Sequence, residues 1–485
     1  MSGSGFRTEH DLLGDMPVRA DAYFGVHTAR AVENFPITGI TMKTYPDFIV
    51  ALAAIKQAAA LTNQRLGLID AERARAIAQA ATEIRQGALH DHFVVDVIQG
   101  GAGTSANMNA NEVIANRALE LLGRQRGEYA HLHPIEHVNM SQSTNDVYPT
   151  AIKLALHGLI GRLVEAMGEL RLAFEAKADE FSDVLKMGRT QLQDAVPMTL
   201  GQEFRTYAVM LGEDQERLRE ASALVSEINL GATAIGTGIT AHPDYAAEVC
   251  ATLSRITGVS LSTAGNLIEA TQDCGAFVQL SGVLKRVAVK LSKTCNDLRL
   301  LSSGPRAGLG EINLPPRQAG SSIMPGKVNP VIPEVVNQVA FEVIGNDATV
   351  TFAAEAGQLQ LNAFEPVIAY SLFKSLTHLS AACDTLRERC VVGITANREH
   401  LRRTVENSIG IVTALNPYIG YTNATAVAKH ALASGLSVYD VVLTMGLLTR
   451  ERLDEILQPD ELTRPHAFVL HAHAETVPAA TSAAE

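Results

Sequence analysis

The stretch AIKLALHGLIGRLVEAMGELRLAFEAKADEF, residues 151–181, decides the fold class of this 485-residue chain. Its apolar residues recur every three or four positions, as at Ile152, Leu156, Leu159 and Leu163. This is the spacing of one buried face of an α-helix. About thirty residues of helix would span roughly 45 Å, which is well beyond an average helix. The stretch therefore predicts an unusually long helix.

Four further stretches predict long helices, so that five follow one another along the central chain. They are residues 200–229, residues 267–303, a run that starts near Pro330, and residues 362–393. The first turn of a helix tolerates proline, which suits Pro333, and Pro366 is expected to start or kink the last run. Five long helices in succession predict an elongated bundle.

Two of these runs are apolar on more than one face. Residues 276–284, AFVQLSGVL, carry no charge, and residues 331–357 carry few acids. A helix that is apolar most of the way round should be buried most of the way round. One chain's bundle cannot easily bury such helices, so we expect them to pack against other copies of the chain. A larger bundle within a single chain is the alternative.

The flanking regions predict shorter helices. Residues 45–67 and 70–87 are rich in alanine and helical in period, with Asp70 as N-cap and Gly87 as terminator. Near the other end, Thr449 is a predicted N-cap.

These patterns predict a mainly α chain whose helix lengths change twice, so that three regions can be distinguished. Residues 1–142 form a mixed, mostly helical domain, residues 143–397 a central long five-helix bundle, and residues 398–485 a small helical domain. The end of the chain, HAHAETVPAATSAAE, has low complexity and is predicted to be a disordered tail.

The composition limits the partners that the protein is expected to bind and indicates its cellular compartment. The net charge is −12 and no basic cluster occurs, which disfavours nucleic acid and anionic membrane surfaces. No uninterrupted apolar stretch is long enough for a membrane span. The five cysteines form no C-x-x-C pair, which favours small core residues in a reducing compartment. We therefore expect a soluble, cytoplasmic protein.

Four polar islands interrupt the apolar pattern. They are GGAGTSANMNANE (100–112), SQSTND (141–146), GRTQLQDAVP (188–197) and GSSIMPGKVNP (320–330). Each abuts a predicted helix terminus, where unpaired backbone N–H groups favour anions. Their hydroxyl, amide and ammonium donors suit a small dicarboxylate. These donors are carried by Thr104, Ser143, Thr144, Asn145, Thr190, Lys327 and Asn329.

Each island alone has a plainer interpretation. SQSTND before a helix is a common cap, and GGAGTS lacks the lysine of a phosphate-binding loop. No metal-ligand spacing occurs in the islands. No G-x-S-x-G motif occurs and no island holds a histidine, so a Ser–His–Asp triad is unsupported.

Together the islands resemble the aspartase/fumarase superfamily. GSSIMPGKVNP is similar to its signature loop, and the likeness runs from DLLGDMPVRADAYFGVHTARAVENF through QSTNDVYPTA and LRLLSSGPRAGLGEINLP to NSIGIVTALNPYIG. Within the superfamily, YFGVHT and GAGTSANMN resemble the aspartases more than class II fumarases. Gln191 stands where fumarases and some aspartases carry histidine, which removes one candidate acid or base.

The resemblance implies a mostly helical, three-domain subunit in a homotetramer, with active sites built by three subunits. It implies a carbon–nitrogen lyase that reversibly removes ammonia from L-aspartate to give fumarate. No cofactor is implied. Divalent metals activate some aspartases, but no ligand set in this sequence places such an ion.

The resemblance also implies residue roles. Ser321 would be the base that removes a proton beside the β-carboxylate. The remaining roles fall into three sets, which are Ser143, Thr144 and Ser322 for the β-carboxylate, Lys327, Asn329 and Thr190 for the α-carboxylate, and Thr104, Asn145 and Gln191 for the ammonium group.

Three rivals remain. A class II fumarate hydratase would use the same base and anion sites with water in place of ammonia. A catalytically silent structural homologue, as some lyase-like crystallins are, would not need intact islands. A lyase for a larger amino-succinate usually carries a different serine loop.

Overall fold

A computed structural model describes residues 5–465 of the chain. Most of this range is helical, which confirms the mainly α prediction. The helices are α1 (Val26–Asn34), α2 (Pro46–Arg65), α3 (Ala71–Arg85), α4 (Thr104–Leu121), α5 (Thr144–Glu180), α6 (Leu200–Leu224), α7 (Tyr245–Thr257), α8 (Leu267–Gln272), α9 (Gly275–Leu301), α10 (Val331–Glu355), α11 (Glu365–Arg389), α12 (Arg398–Asn407), α13 (Asn416–Ser434), α14 (Val438–Thr444), α15 (Arg450–Ile456) and α16 (Pro459–Thr463).

Strands are short and pair two by two. They are β1 (Phe6–Asp11), β2 (Gly14–Arg19), β3 (Leu185–Thr190), β4 (Gln193–Thr199), β5 (Glu227–Ile228), β6 (Ser262–Thr263), β7 (Ile312–Asn313) and β8 (Thr395–Ala396). The pairs β1–β2, β3–β4 and β7–β8 are antiparallel, whereas β5–β6 is parallel. The described part of the chain contains no helix with the length and apolar character needed to cross a lipid bilayer.

The chain divides into two compact units. The first unit comprises the chain up to Glu169 together with Leu211–Lys293 and Glu334–Asp384. The second unit comprises Leu170–Met210, Thr294–Pro333 and the chain from Thr385 onward. The three-domain division expected from the sequence stays a prediction.

In the first unit, hydrogen bonds and an ion pair formed by side chains join each of the five long helices to a neighbouring helix. The contacts are Gln215 to the Val164 carbonyl (α6 to α5), Arg286 to Asp214 (α9 to α6), Ser281 to Asp347 (α9 to α10), and Asn346 to Ser375 (α10 to α11). These bonds pair polar groups of neighbouring helices with one another.

The second unit has two apolar clusters. Aromatic rings of α5 and α6 stack edge to face, with Phe174 against Tyr207 and Phe181 against Phe204. A separate core joins the C-terminal helices and includes Leu415, Val441 and Leu453. Edge-to-face rings and close-packed aliphatic side chains stabilise both clusters.

The structure corrects three helix boundaries. The helix predicted over residues 267–303 is broken, because Asp273 is extended and its carboxylate accepts the Gly275 N–H. The helix predicted over 200–229 ends at Leu224, before β5. The 151–181 stretch belongs to a longer helix, α5, of 37 residues.

The predicted caps are confirmed. The Asp70 carboxylate accepts two N–H groups of the first turn of α3, Gly87 has φ +98° just past its end, and Thr449 caps α15. All five cysteines are buried, as small core residues should be. The predicted disordered tail, residues 471–485, lies outside the described residues.

Candidate active site

A buried lysine connects the first two polar islands. Lys56 of α2 is fully buried, and its Nζ donates to Asn107 Oδ1 at 2.7 Å, Asn139 Oδ1 at 2.9 Å and Gln142 Oε1 at 2.9 Å. Burial lowers the pKa of Lys56 to about 7, while the charge of Asp146 opposes the shift. These four residues, Lys56 with its three amide partners, are called the Lys56 cluster.

The Lys56 cluster also contacts the start of α5. Asn107 Nδ2 donates to Thr144 Oγ1 at 3.2 Å, which joins the first island to the second. Thr104 is exposed and opens α4 directly after Gly103, whose φ is +89°. A Cβ at Gly103 would lie 2.2 Å from the Tyr148 ring, so only glycine permits this approach. Thr104 and Thr144 thus each stand at a helix N-terminus.

The second island is a helix cap, as its plainer interpretation predicts. Ser143 Oγ accepts the Asn145 N–H at 3.3 Å, and Asp146 Oδ1 accepts the Ser143 N–H at 3.0 Å. This reciprocal arrangement resembles a capping box. Ser143, Thr144 and Asn145 remain partly exposed, whereas Asp146 is buried. A cap and an anion site are compatible here, since both use the same helix end.

Burial of Asp146 has a cost that its neighbours offset. Desolvation raises the pKa of Asp146 to about 7, and bonds from three backbone N–H groups together with the Lys56 charge oppose that rise. The donors are the N–H groups of Ser143, Gly231 and Thr233.

The third island corrects a prediction. Residues 188–197 do not abut a helix terminus but lie in the β3–β4 hairpin, and Gln191 and Leu192 form its tip with φ of +55° and +62°. Positive φ at both central residues is typical of a tight two-residue hairpin turn. Thr190 and Gln191 are both exposed at this tip.

Buried ion pairs hold the hairpin stem. Glu311 is 1% exposed and pairs with Lys186 Nζ at 2.7 Å and with the guanidinium of Arg189. Lys186 also pairs with Glu203 of α6 at 2.5 Å. Because Arg189 directly precedes Thr190, this network fixes the base of the exposed tip.

The fourth island is an exposed loop closed at its neck. Residues Gly320–Pro330 are called the serine loop. Gly320 N–H donates to the Lys327 carbonyl at 2.9 Å, and Asn329 Nδ2 donates to the Gly320 carbonyl at 2.7 Å. A Cβ at Gly320 would lie 2.4 Å from the Lys327 carbonyl oxygen, so the neck needs glycine.

Ser321 follows this neck, and its hydroxyl accepts from backbone N–H groups two and three residues further on, as serine commonly does in turns. Its Oγ accepts the N–H groups of Ile323 at 3.2 Å and Met324 at 2.9 Å. Two N–H donors on one oxygen favour its negatively charged form. Ser322 and Lys327 are exposed.

The contacts therefore sort the predicted residues into three groups. Thr104, Ser143, Thr144 and Asn145 share one framework in the first unit. In the second unit, one group is Thr190 and Gln191 at the hairpin tip, and the other is Ser321, Ser322, Lys327 and Asn329 in the serine loop. The roles assigned to these residues stay predictions.

Sequence reasoning missed the residues that support these groups. Lys56 and Glu311 were not singled out, although Lys56 is the one charge in the apolar run ALAAIKQAAAL. A lone lysine in an alanine-rich helix was the available signal. Among residues 5–465, no three or more His, Cys, Asp or Glu side chains are grouped to hold a metal ion.

Comparison with known proteins extends over nearly the whole chain. A family described as "Lyase" matches residues 14–345, and one described as "Fumarase C C-terminus" matches residues 411–464. The chain is 60% identical to an aspartate ammonia-lyase from Pseudomonas fluorescens, with 97% of this chain and 99% of that protein covered. It is 59% identical to the aspartate ammonia-lyase from Helicobacter pylori, with 96% and 99% covered.

Two solved structures show the same fold. A fumarate lyase:delta crystallin from Brucella melitensis, bound to cobalt, is 56% identical with a TM-score of 0.93 and covers 95% of this chain and 100% of its own. A recombinant class II fumarase from Schistosoma mansoni is 35% identical with a TM-score of 0.91 and the same coverage. The predicted fold class is confirmed, and this chain belongs to the aspartase/fumarase family of lyases.

Proposed function

We propose that this chain is an aspartate ammonia-lyase, which reversibly converts L-aspartate to fumarate and ammonia. The observation that carries the proposal is 59–60% identity, over nearly the full length, to proteins of that name. The class II fumarase is only 35% identical over a similar span. The difference favours the deaminase over the hydratase.

Ser321 acts as the base. A proton beside the β-carboxylate is weakly acidic, and its removal leaves a carbanion that spreads into that carboxylate as an aci-carboxylate dianion. Serine is ordinarily too weak an acid to form the required alkoxide at neutral pH. The N–H groups of Ile323 and Met324 on its oxygen support the charged form, and closure of the serine loop over substrate would exclude water.

The extra charge of the intermediate needs preorganised donors. Ser143 and Thr144 supply hydroxyl groups and helix-end N–H groups to the β-carboxylate, together with Ser322. Hydrogen bonds fix the Thr144 side chain. Its hydroxyl oxygen accepts from Asn107 Nδ2, and Asn107 Oδ1 in turn accepts from Lys56 Nζ. A donor fixed before the reaction loses no free energy to reorganisation when charge develops.

The other end of the substrate needs both donors and acceptors. Lys327, Asn329 and Thr190 bind the α-carboxylate, for which the exposed Lys327 ammonium suits a mobile counter-charge. Thr104, Asn145 and Gln191 bind the ammonium group, and Gln191 offers an amide oxygen in place of an imidazole.

The chemistry needs no resident cofactor, so we propose that none takes part. Hydroxyl, amide and ammonium donors carry the charge in this scheme. Dialysis against a chelator should leave the rate unchanged, and a loss that divalent metal restores would overturn this part. The cytoplasmic location stays a prediction that cell fractionation would test.

We also propose a homotetramer with sites shared between subunits. The supporting observation is an apolar stripe on α10, where Phe341, Ile344 and Phe352 are 61%, 37% and 74% exposed. Their spacing places them on one face of the helix. Large exposed apolar faces mark association surfaces.

Subunit mixing tests the shared sites. The Ser321→Ala and Thr144→Ala enzymes are each expected to be nearly inactive. When they are dissociated and reassembled together, some sites combine an intact serine loop with an intact α5 terminus, and activity should return. Failure to recover any activity in verified mixed tetramers would refute sharing of these two segments.

The activity itself is tested in the direction of addition. Fumarate absorbs ultraviolet light and loses this absorbance when its double bond is consumed. We expect loss of absorbance that depends on added ammonium, with aspartate as the product. Equal loss without ammonium would indicate a fumarate hydratase, and no loss in either case would indicate a silent homologue.

A further inference from the structure

The segment Asn229–Ala234 lies against the first turn of α5. The Asp146 carboxylate fastens it there, since Oδ2 accepts the N–H of Gly231 at 3.1 Å and of Thr233 at 2.9 Å. The other oxygen, Oδ1, accepts the Ser143 N–H at 3.0 Å. One buried carboxylate therefore holds the segment and the helix end together.

The same segment contacts Asn145 twice. Pro149 lies within α5 and has no N–H, so the Asn145 carbonyl lacks its usual helical partner. Asn229 Nδ2 supplies that partner at 3.0 Å. The Asn145 side chain is held as well, because its Nδ2 donates to the Ala234 carbonyl at 2.7 Å.

The contact with Ala234 decides which end of the Asn145 amide is available. If the amide were turned over, its oxygen would face the Ala234 carbonyl oxygen, and two acceptors would repel each other. The observed bond therefore leaves Asn145 Oδ1 as a hydrogen-bond acceptor for other groups. A substrate ammonium group has only donors and requires acceptors.

The backbone of the segment is strained, as expected where the surroundings dictate a conformation. Thr233 has φ +58°, which is rare for a β-branched residue, and its buried hydroxyl finds no partner within the described residues. Gly231 has φ +100°, and a Cβ there would lie 2.6 Å from Ala246 Cβ. The two N–H groups bound by Asp146 belong to these two residues, so the carboxylate holds the segment at the strained Thr233 and at a glycine that has no room for a Cβ.

We propose that Asp146 is a positioning residue, which acts through the Asn229–Ala234 segment to present the Asn145 amide oxygen to the substrate amino group. The inference rests on the proposed function. It assigns Asp146 and Ala234 a part in selecting ammonia, which neither residue needs to touch.

The test separates the two substrates of the addition reaction. In Asp146→Asn, an amide NH2 replaces one carboxylate oxygen and cannot accept an N–H bond. We expect the KM for ammonium to rise about tenfold, since a hydrogen bond to a charged group is lost or misaligned, while the KM for fumarate changes less than about twofold. The exposed Asp244→Asn variant is the matched control and should leave both constants unchanged.

A double variant tests the route. Asn145→Ala alone should raise the KM for ammonium, and adding Asp146→Asn should raise it no further, because Asp146 acts through Asn145. If Asp146→Asn does not fold, Gly231→Ala is used to displace the segment instead. It should likewise raise the KM for ammonium and leave the KM for fumarate nearly unchanged.

Several outcomes would overturn the proposal. Equal rises in both KM values, additive effects in the double variant, or a loss of thermal stability with unchanged constants would each reduce Asp146 to a structural residue. Failure of the proposed function is distinguishable, since the unaltered enzyme would then show no ammonium-dependent consumption of fumarate.

Discussion

The Lys56 cluster and the serine loop are built in opposite ways. Lys56 is fully buried, and its three amide partners connect two helices and the turn before α5. The serine loop is largely exposed, and the hydrogen bonds seen within residues 320–330 run between the loop's own residues. The first is a rigid support, and the second is joined to the protein mainly through its neck.

This difference matches two different tasks. Groups that bind a fixed charge work best when their geometry is set before substrate arrives. A base that must exclude water works best on a segment that can close, and segments with few outside contacts open at low free-energy cost. Substitutions in the Lys56 cluster should therefore cost stability, whereas substitutions in the serine loop should cost turnover alone.

The largest expected effect is at Ser321. Removing a general base typically costs 10²–10⁴ in rate, so Ser321→Ala should lower kcat about 10³-fold. Its melting temperature should match that of the unaltered enzyme, because the bonds that its hydroxyl accepts from Ile323 and Met324 lie within the loop. Steady-state rates and calorimetry measure the two quantities.

The control for Ser321→Ala is Ser260→Ala, a change at an exposed serine. It should alter neither rate nor stability. Near-normal turnover in a folded Ser321→Ala enzyme would contradict the assignment of the base.

The next effect is at Lys56. Lys56→Met fills a similar volume but leaves the buried amide oxygens of Asn107 and Gln142 without this donor. Asn139 Oδ1 keeps the donors Asn107 Nδ2 and Asn111 Nδ2. Each unsatisfied buried group costs about 1 to 3 kcal/mol, so we expect a loss of about 3 kcal/mol in the free energy of unfolding. Denaturant titration measures it.

Lys43→Met is the matched change at an exposed lysine and should have little effect on stability, since the pair of Lys43 with Asp91 is a long surface contact at 3.6 Å. If Lys56→Met were as stable as Lys43→Met, the Lys56 cluster could not be the rigid member of the comparison.

The sequence predicted the helices and their caps better than it predicted a break between two helices. The period of residues 151–181 and the caps at Asp70 and Thr449 predicted helices correctly, because burial and capping are local signals. The break at Asp273 was missed, since the apolar period continues through it and one local hydrogen bond to Gly275 ends the helix.

The candidate site was predictable only where a sequence motif indicates the chemistry. Ser321 and the serine loop are candidates because of their motif, whereas Lys56 and Asp146 act through contacts with residues distant in sequence. The β3–β4 hairpin was missed because Gln191 and Leu192 form its turn without the Asn-Gly or Asp-Gly pair that usually marks one.

A third prediction concerns pH and another buried carboxyl of the first unit. Burial raises the pKa of Glu365 to about 8, with the charge of Lys153 opposing, and one of its oxygens has no partner within residues 5–465. A carboxyl with a raised pKa favours folding below its ordinary pKa, and this contribution is lost as pH rises through about 8. From about pH 6 to about pH 7.5 the loss should reach about 2 kcal/mol.

Glu365→Gln cannot ionise, so its stability should fall less over that interval. The exposed Glu399 has a pKa lowered by Arg402 and stays ionised throughout, so Glu399→Gln should keep the slope of the unaltered protein. Denaturant titrations at both pH values decide the question, and identical slopes in all three proteins would show that Glu365 does not titrate there.

The smallest expected effect is at Gly320, in the neck of the serine loop. Gly320→Ala places a Cβ 2.4 Å from the Lys327 carbonyl oxygen, so the neck must open although Ser321 and Lys327 are unchanged. We expect kcat to fall about tenfold, since a misplaced base loses part of its advantage from orientation. Gly265→Ala meets no atom within 4 Å and is the control. An unchanged melting temperature with a lowered kcat would show that the loop's geometry serves catalysis alone. A large loss of stability in Gly320→Ala would mean instead that the neck supports the fold, and the contrast with the Lys56 cluster would fail.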